Sequence, residues 1–331
     1  MGSDFTALLC NVAFECMDPA NPVGRRILEW PGDPAPLADN LPLRVAGALH
    51  SLARSGRVPA LTAVYPPAPM PSAAVLASAV RAAFSAEGSR IGTWLDSPPQ
   101  TNEVGRSAML LGGWLTVAAA TKMPLSLFEI GSSAGLNLLA DRYQYRFGSV
   151  SWGEPSAKPL IRPDWSGPEP PVAAPLTIVS RRGCDRSPVD LRSREDCDRL
   201  LAYVWPDQRE RLARLEEAIA TARVDPPLLD RADAADWIRR HLDVDGPQGT
   251  ARILFHSLVW QSLPPAAQRE ISSHLGEVAR AARSESPFAW LRFELGGDEK
   301  GAELRLTLWP NGAERLLAVA HPHGNWVRWN A

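Results

Sequence analysis

The sequence predicts an α/β protein: a doubly wound, mostly parallel sheet that ends in an antiparallel meander, with a helical segment ahead of it. Three observations carry this expectation. Proline-punctuated helical patterning fills the first hundred residues, short apolar runs then alternate with helical periodicities, and clean apolar–polar alternation appears only near the C-terminus. The chain has 331 residues, 45% hydrophobic and 22% charged, which is the composition of a globular protein with room for one large or two medium domains.

Within residues 1–100 the apolar positions of 41–52 recur at three and four, and 73–84 is an alanine-rich amphipathic run behind Pro66-Pro67-Ala68-Pro69-Met70-Pro71. The spacing predicts a helical N-terminal domain or lid, closed by Ser97-Pro98-Pro99. A second domain is expected over 101–331. Its elements read as a helix at 102–120, a buried strand at Leu125–Ile130 and a helix at 134–145. A stretch rich in Pro, Trp and Gly at 147–175 follows, long enough to be a functional insertion. Next come a strand at 176–180, a helix at 206–222, a short strand at 228–229, a helix at Ala234–His241, a strand at 251–256, a helix at 264–283 and a strand at Phe288–Leu295. Residues 303–309 and Glu314–Ala320 alternate around the turn Pro310-Asn311-Gly312, and the meander stops at His321-Pro322-His323-Gly324.

Lys plus Arg is 35 against 37 Asp plus Glu, a net charge of −2, and this balance disfavours a nucleic-acid partner. The longest apolar run, 107–121, is shorter than the ~20 residues a bilayer needs and holds Gly112 and Gly113, so no membrane partner is expected. The N-terminus carries Asp4 and no basic segment, unlike a secretory signal, and a cytoplasmic location is expected. Cys10, Cys16, Cys184 and Cys197 form no CxxC pair, and His321 and His323 lack nearby acids, so buried thiols, turn histidines and no metal site are expected. Oligomeric state is not legible from the sequence.

The segment most telling for chemistry is 125–137, LSLFEIGSSAGLN. It puts an acid, Glu129, at the end of a strand, then Gly131 and Gly135 around a turn. Such a turn needs glycine where a Cβ would clash, and a carboxylate just before it can meet a ligand's ammonium or ribose hydroxyls. This resembles the first motif of class I S-adenosylmethionine-dependent methyltransferases, with Ser133 in place of the middle glycine. Three later segments fall in that family's order: Gly183-Cys184-Asp185-Arg186-Ser187-Pro188, Asp230-Arg231-Ala232-Asp233-Ala234-Ala235-Asp236-Trp237, and Phe255-His256-Ser257-Leu258-Val259-Trp260-Gln261-Ser262-Leu263-Pro264. The resemblance covers residues 101–295 and implies a Rossmann-like fold, S-adenosylmethionine as cofactor and a small-molecule methyl acceptor. It implies cofactor contacts at Glu129, Gly131, Ser132, Ser133, Gly135, Asn137, Asp185, Asp233 and Ala234. His256 is the candidate base, and Asn102, Glu103, Arg106, Tyr143, Trp260 and Gln261 are candidates for the substrate pocket. Two features depart from the pattern. Gly135 and Asp185 are 50 residues apart, which requires the 147–175 stretch to be looped out, and the meander lacks the helix expected before a sixth strand.

At finer grain, 101–107, 129–143, 204–208 and 322–329 together are similar to a bacterial family, domain of unknown function 2332, over nearly the whole chain. Two rivals to methyl transfer stay open. Gly131-Ser132-Ser133-Ala134-Gly135 also satisfies the nucleophile elbow of a serine hydrolase, with Asp233 or Asp236 and His256 or His323 following in order. A Rossmann-like nucleotide-binding or interaction protein without methyl transfer is the other. Each residue also has a plain structural role open to it: Glu129 as a cap or ion-pair partner, Asp185 as a turn residue, His256 as a core histidine, and Asn102, Glu103 and Arg106 as one solvated helix face.

Overall fold

The computed structural model describes residues 2–35, 38–296 and 301–330, and the chain forms two compact units. The first comprises Met1–Thr101 and Arg192–Ala213, and its regular elements are helices: Asp4–Glu15, Pro22–Leu28, Leu41–Arg54, Pro59–Thr62, Ala73–Ala86, Gly88–Leu95 and Arg194–Ala202. Their starts are written locally. Ser3, Asn21, Ser72 and Ser193 accept hydrogen bonds from first-turn amides that would otherwise lack partners. The core is built from Phe5, Leu9, Leu49, Leu52, Leu61, Leu76, Val80, Ile91 and Leu95, all buried. That Arg194–Ala202 joins this unit is not visible in sequence. Gly47 marks the junction, because a Cβ there would lie 2.7 Å from the Tyr203 ring.

His50 also faces this segment, with Nδ1 3.0 Å from the Ala202 carbonyl oxygen and its ring stacked on Tyr65. Burial pushes its pKa down to about 4, against backbone carbonyls that favour the charged ring. The unfolded chain therefore binds the proton first, and stability falls as pH drops from about 6.5 through 4. We expect urea unfolding to register a loss of about 2 kcal/mol between pH 7 and pH 5 that is absent in His50→Gln. Equal pH dependence in the two proteins would contradict this.

The second unit, Asn102–Leu191 with Arg214–Ala331, is a mixed α/β structure around a large, mostly parallel sheet. Its strands are β1 (Leu125–Ile130), β2 (Gln144–Phe147), β3 (Val150–Trp152), β4 (Leu160–Ile161), β5 (Asp164–Ser166), β6 (Ile178–Asp185), β7 (Leu228–Arg231), β8 (Ala251–Ser257), β9 (Phe288–Leu295), β10 (Ala302–Trp309), β11 (Glu314–Ala320) and β12 (Trp326–Trp329). Nine of them form one sheet in the order β5-β12-β11-β10-β9-β8-β1-β6-β7. The pairs from β9 through β7 are parallel, β9-β10-β11-β12 is antiparallel, and β5 adds to β12 in parallel. β1 sits inside, flanked by β8 and β6, and its mostly apolar residues, with Ser126 and Glu129 among them, are largely buried. Within the parallel block β9-β8-β1-β6-β7, the chain goes from β1 first to β6 and β7 on one side and only then to β8 and β9 on the other. The strand order therefore reverses between β1 and β8.

The helix Ser107–Thr121 is apolar all round and buried along most of its length. Gly112 and Gly113 let Trp329 and Leu291 approach its backbone, since an added Cβ at either would be 2.7 Å from those side chains. The expected start at 102 is corrected: a 3-10 turn, Val104–Arg106, precedes the helix, and Glu103 caps it by accepting from the Gly105 amide at 3.0 Å. Asn102, Glu103 and Arg106 therefore do not share a helix face.

The helix expected at 134–145 is also corrected. Leu136–Arg142 is a kinked 3-10 segment that leads into β2. Tyr143 and Tyr145 donate their hydroxyls to the carbonyls of Leu136 and Ala140, both at 2.8 Å, and with Phe147 they bury every second side chain. The alternation Tyr-x-Tyr-x-Phe was the strand signal hidden behind Leu138-Leu139. The 147–175 stretch supplies β3 and β4, which flank β2 in a small three-stranded sheet, and β5 at the edge of the large one. A run of ring contacts, Tyr145–Phe147–Trp165–Trp329, ties the two sheets at centroid spacings of 5.5, 5.0 and 5.5 Å. Where a strand ending at 180 is expected, β6 continues to Asp185. Its polar residues are tolerated because Arg181 and Arg182 make paired hydrogen bonds to Asp141 and Asp230. No helix among the described residues is long and apolar enough to cross a membrane.

Candidate functional site

Parallel α/β sheets place their ligand crevices at the carboxyl ends of the strands where the order reverses. Here that is the end of β1 and β8, and the turn after β1 is held in an unusual shape. Gly131, Ser133 and Gly135 all have positive φ, of 66, 53 and 71°. At the end of β8, Leu258 is left-handed too, with φ of 56°. A serine and a leucine in this region are both strained, and here they stand on neighbouring strand ends.

The turn is stitched to β6. Ser132 donates its amide to the Cys184 carbonyl at 3.0 Å, and Ser133 donates its amide to Asp185 Oδ2 at 2.9 Å. The other Asp185 oxygen accepts from the Ser187 amide at 2.8 Å. A carboxylate has about four acceptor positions, so these two bonds leave capacity for ligand hydroxyls. From the other side, Asn102 Oδ1 accepts the Leu136 amide at 3.0 Å. The glycines serve close packing of the protein on itself: a Cβ at Gly131 would lie 2.5 Å from Val259, one at Gly135 2.6 Å from Pro227, and one at Gly183 2.8 Å from Ser132 Oγ.

Glu129 lies opposite Gly183 of β6 and Phe255 of β8 and is 2% exposed. Its Oε2, together with Ser132 Oγ and Asn137 Oδ1, is buried without a hydrogen-bond partner among the described residues. Burial, reinforced by the Asp185 charge and opposed by Arg106, raises the Glu129 pKa well above the carboxylate range. Arg106 is fixed by its Nε–H to the Pro322 carbonyl at 2.8 Å and an Nη1–H to the Ser257 carbonyl at 3.0 Å. Glu103 lies between Arg214, at 3.7 Å, and His323 Nδ1, at 3.4 Å.

The other expected residues take varied places. Tyr143 is buried with its hydroxyl committed to the Leu136 carbonyl, so it shapes the turn. Asp233 caps the helix Ala234–His241 through the Ala235 amide at 2.9 Å, and Ala234 is buried in that first turn. Gln261 is exposed, and Trp260 is half-buried with its ring stacked on His256. His256 itself is fully buried. Its Nδ1 is 2.5 Å from Glu294 Oε1 and its Nε2 accepts from Trp290 Nε1 at 3.2 Å. With both ring nitrogens committed, the expectation of a free base at 256, for a methyl acceptor or for Ser133, is corrected. Glu294 was missed altogether, because one acid in an alternating strand carries no signal. In the 230–237 segment Asp230 is also an ion-pair partner, and Arg182, the larger effect, with Trp237 holds its carboxyl down at about 2. Among the described residues no group of three or more His, Cys, Asp or Glu is placed to hold a metal ion.

Fold and site thus define an α/β protein with a strained turn and, where its sheet order reverses, a buried carboxyl whose Oε2 has no hydrogen-bond partner among the described residues. The chain belongs to the family described as uncharacterized protein conserved in bacteria (DUF2332), whose model matches residues 1–329. No curated protein and no solved structure matches it. Three of the four stretches that carried the family resemblance, 101–107, 129–143 and 322–329, meet at this site through the Arg106–Pro322, Glu103–His323 and Asn102–Leu136 contacts.

Proposed function

We propose that the chain binds S-adenosylmethionine at the carboxyl ends of β1, β6 and β8 and transfers its methyl group to a small molecule. The observation that carries this reading is Glu129: a buried carboxyl with a free oxygen, next to a glycine turn, at the reversal of a parallel sheet. The sheet order supports a Rossmann-like arrangement of the methyltransferase type. β10, antiparallel beside β9, and then β11 fill the next two sheet positions directly, without a crossover helix between them among the described residues. Ser132 Oγ and Asn137 Oδ1, buried and unpartnered like Glu129 Oε2, fit a ligand rich in N–H and O–H donors. Asp185 would take the ribose hydroxyls on its remaining acceptor positions, and Glu129 an ammonium. When bound, the cofactor supplies an electrophilic methyl on a positively charged sulfur. The residues here then need to orient an acceptor and exclude water, which requires no strong base and suits the committed state of His256.

Isothermal titration of the full chain with S-adenosylmethionine and S-adenosylhomocysteine tests the reading, and no heat with either at millimolar ligand would end it. Ser133→Gly should bind S-adenosylhomocysteine at least as tightly as the wild type and melt no lower. Glycine relieves a left-handed backbone worth about 1 kcal/mol. Loss of binding in that variant would mean the side chain, not the backbone, is what matters. A second reading, a binding or interaction protein without methyl transfer, is favoured by Val259 packed on Gly131. Binding of both nucleosides with no methyl transferred to any acceptor would select it.

A further inference from the structure

We propose that Glu294 is a positioning residue, which sets the turn after β8 against the glycine turn after β1. This rests on reading the site as a methyl-donor site. Glu294 stands near the end of β9, and a single oxygen, Oε1, takes three donors: His256 Nδ1 at 2.5 Å, the Val259 amide at 3.1 Å and the Trp260 amide at 3.2 Å. Two successive backbone amides and an imidazole N–H converging on one carboxylate oxygen make a small anion nest, with the anion supplied by the protein. The nest holds a strained segment in place. Leu258, just before it, is left-handed and donates its own amide to the Phe293 carbonyl at 2.8 Å. Val259, within it, is the side chain that lies against Gly131, and Trp260 stacks on His256 and meets Trp290 edge-on at 5.5 Å. Without the carboxylate the two amides and the imidazole N–H lose their acceptor, and the Leu258–Phe293 hydrogen bond is left to oppose relaxation of Leu258. Val259 would then leave Gly131, and the wall beside Glu129 would lose its shape. The role of His256 follows: it spaces Glu294 from Trp290 and presents its ring to Trp260.

The test is amide hydrogen exchange read by mass spectrometry on the full chain, for wild type, Glu294→Ala and Glu294→Gln. In Glu294→Ala the amides of 258–262 and of 131–135 should exchange about 10–100-fold faster, the scale set by losing hydrogen bonds to a charged acceptor, while β8 and β9 keep their protection. Glu294→Gln, whose side-chain carbonyl still accepts, should restore most of it. S-adenosylhomocysteine affinity should follow the same ranking. Unchanged exchange at 258–262 in Glu294→Ala, or faster exchange spread through the whole sheet, would overturn the proposal. If the wild type binds no S-adenosylhomocysteine, the methyl-donor reading falls by itself, and the exchange pattern still decides what Glu294 does.

Discussion

Glu129→Gln is expected to raise the melting temperature of the free protein at pH 8 and to weaken S-adenosylhomocysteine binding by about 1.5–3 kcal/mol. Both effects come from one buried carboxyl. Its pKa in the folded chain lies above its value in the unfolded chain, chiefly through burial and then through the Asp185 charge. Between the ordinary carboxylate range and the folded value, the native state holds a proton that the unfolded chain has released. Stability therefore falls as pH rises through that window. Glutamine has the same shape and no charge to bury, so the gap in melting temperature between variant and wild type should widen from pH 5 to pH 8. Ligand binding runs the other way. An ammonium pairs with the ionised carboxyl, so wild-type affinity should climb with pH, by at most about tenfold per unit, while the variant stays flat. Equal affinity and equal melting across this range would remove Glu129 from the site.

Gly324→Ala should lower the melting temperature by about 5–15 °C, corresponding to roughly 2–4 kcal/mol. Two separate costs add. Gly324 has φ of 72°, which is open to glycine and strained for alanine, and a Cβ there would sit 2.3 Å from the Gly105 carbonyl oxygen. That oxygen belongs to backbone and cannot step aside like a flexible side chain. The reverse clash is present as well, since a Cβ on Gly105 would lie 2.4 Å from the His323 carbonyl oxygen. The 321–324 turn and the 104–106 turn therefore touch backbone to backbone. Arg106 spans them through Pro322, so its guanidinium should move with the clash, and ligand affinity should fall beyond what stability explains. An alanine variant that melts with the wild type would mean the two turns are not in contact in solution.

Much of the architecture is written locally. The caps Ser3, Asn21 and Ser72, the mostly apolar β1, the alternation of β10 and β11 and the Pro310-Asn311-Gly312 turn each follow from a few adjacent residues. For the same reason Glu129, Ser132 and Asn137 could be singled out: an acid at a strand end before a glycine turn is a pattern of neighbours. What the sequence by itself determined is thus most element types, most strand positions and the turn around which the site is built. The tertiary structure alone decided what depends on distant partners. Polar β6 runs to Asp185 because Asp141 and Asp230 neutralise its arginines, and the 134–145 segment leaves the helix because two tyrosine hydroxyls find nearby carbonyls. His256 lost its expected role to Glu294 and Trp290, 38 and 34 residues further on. Periodicity reports which face of an element is buried. Which polar atoms find partners there is a matter of three-dimensional proximity, and that balance separates a committed histidine from a glutamate whose Oε2 has no hydrogen-bond partner among the described residues.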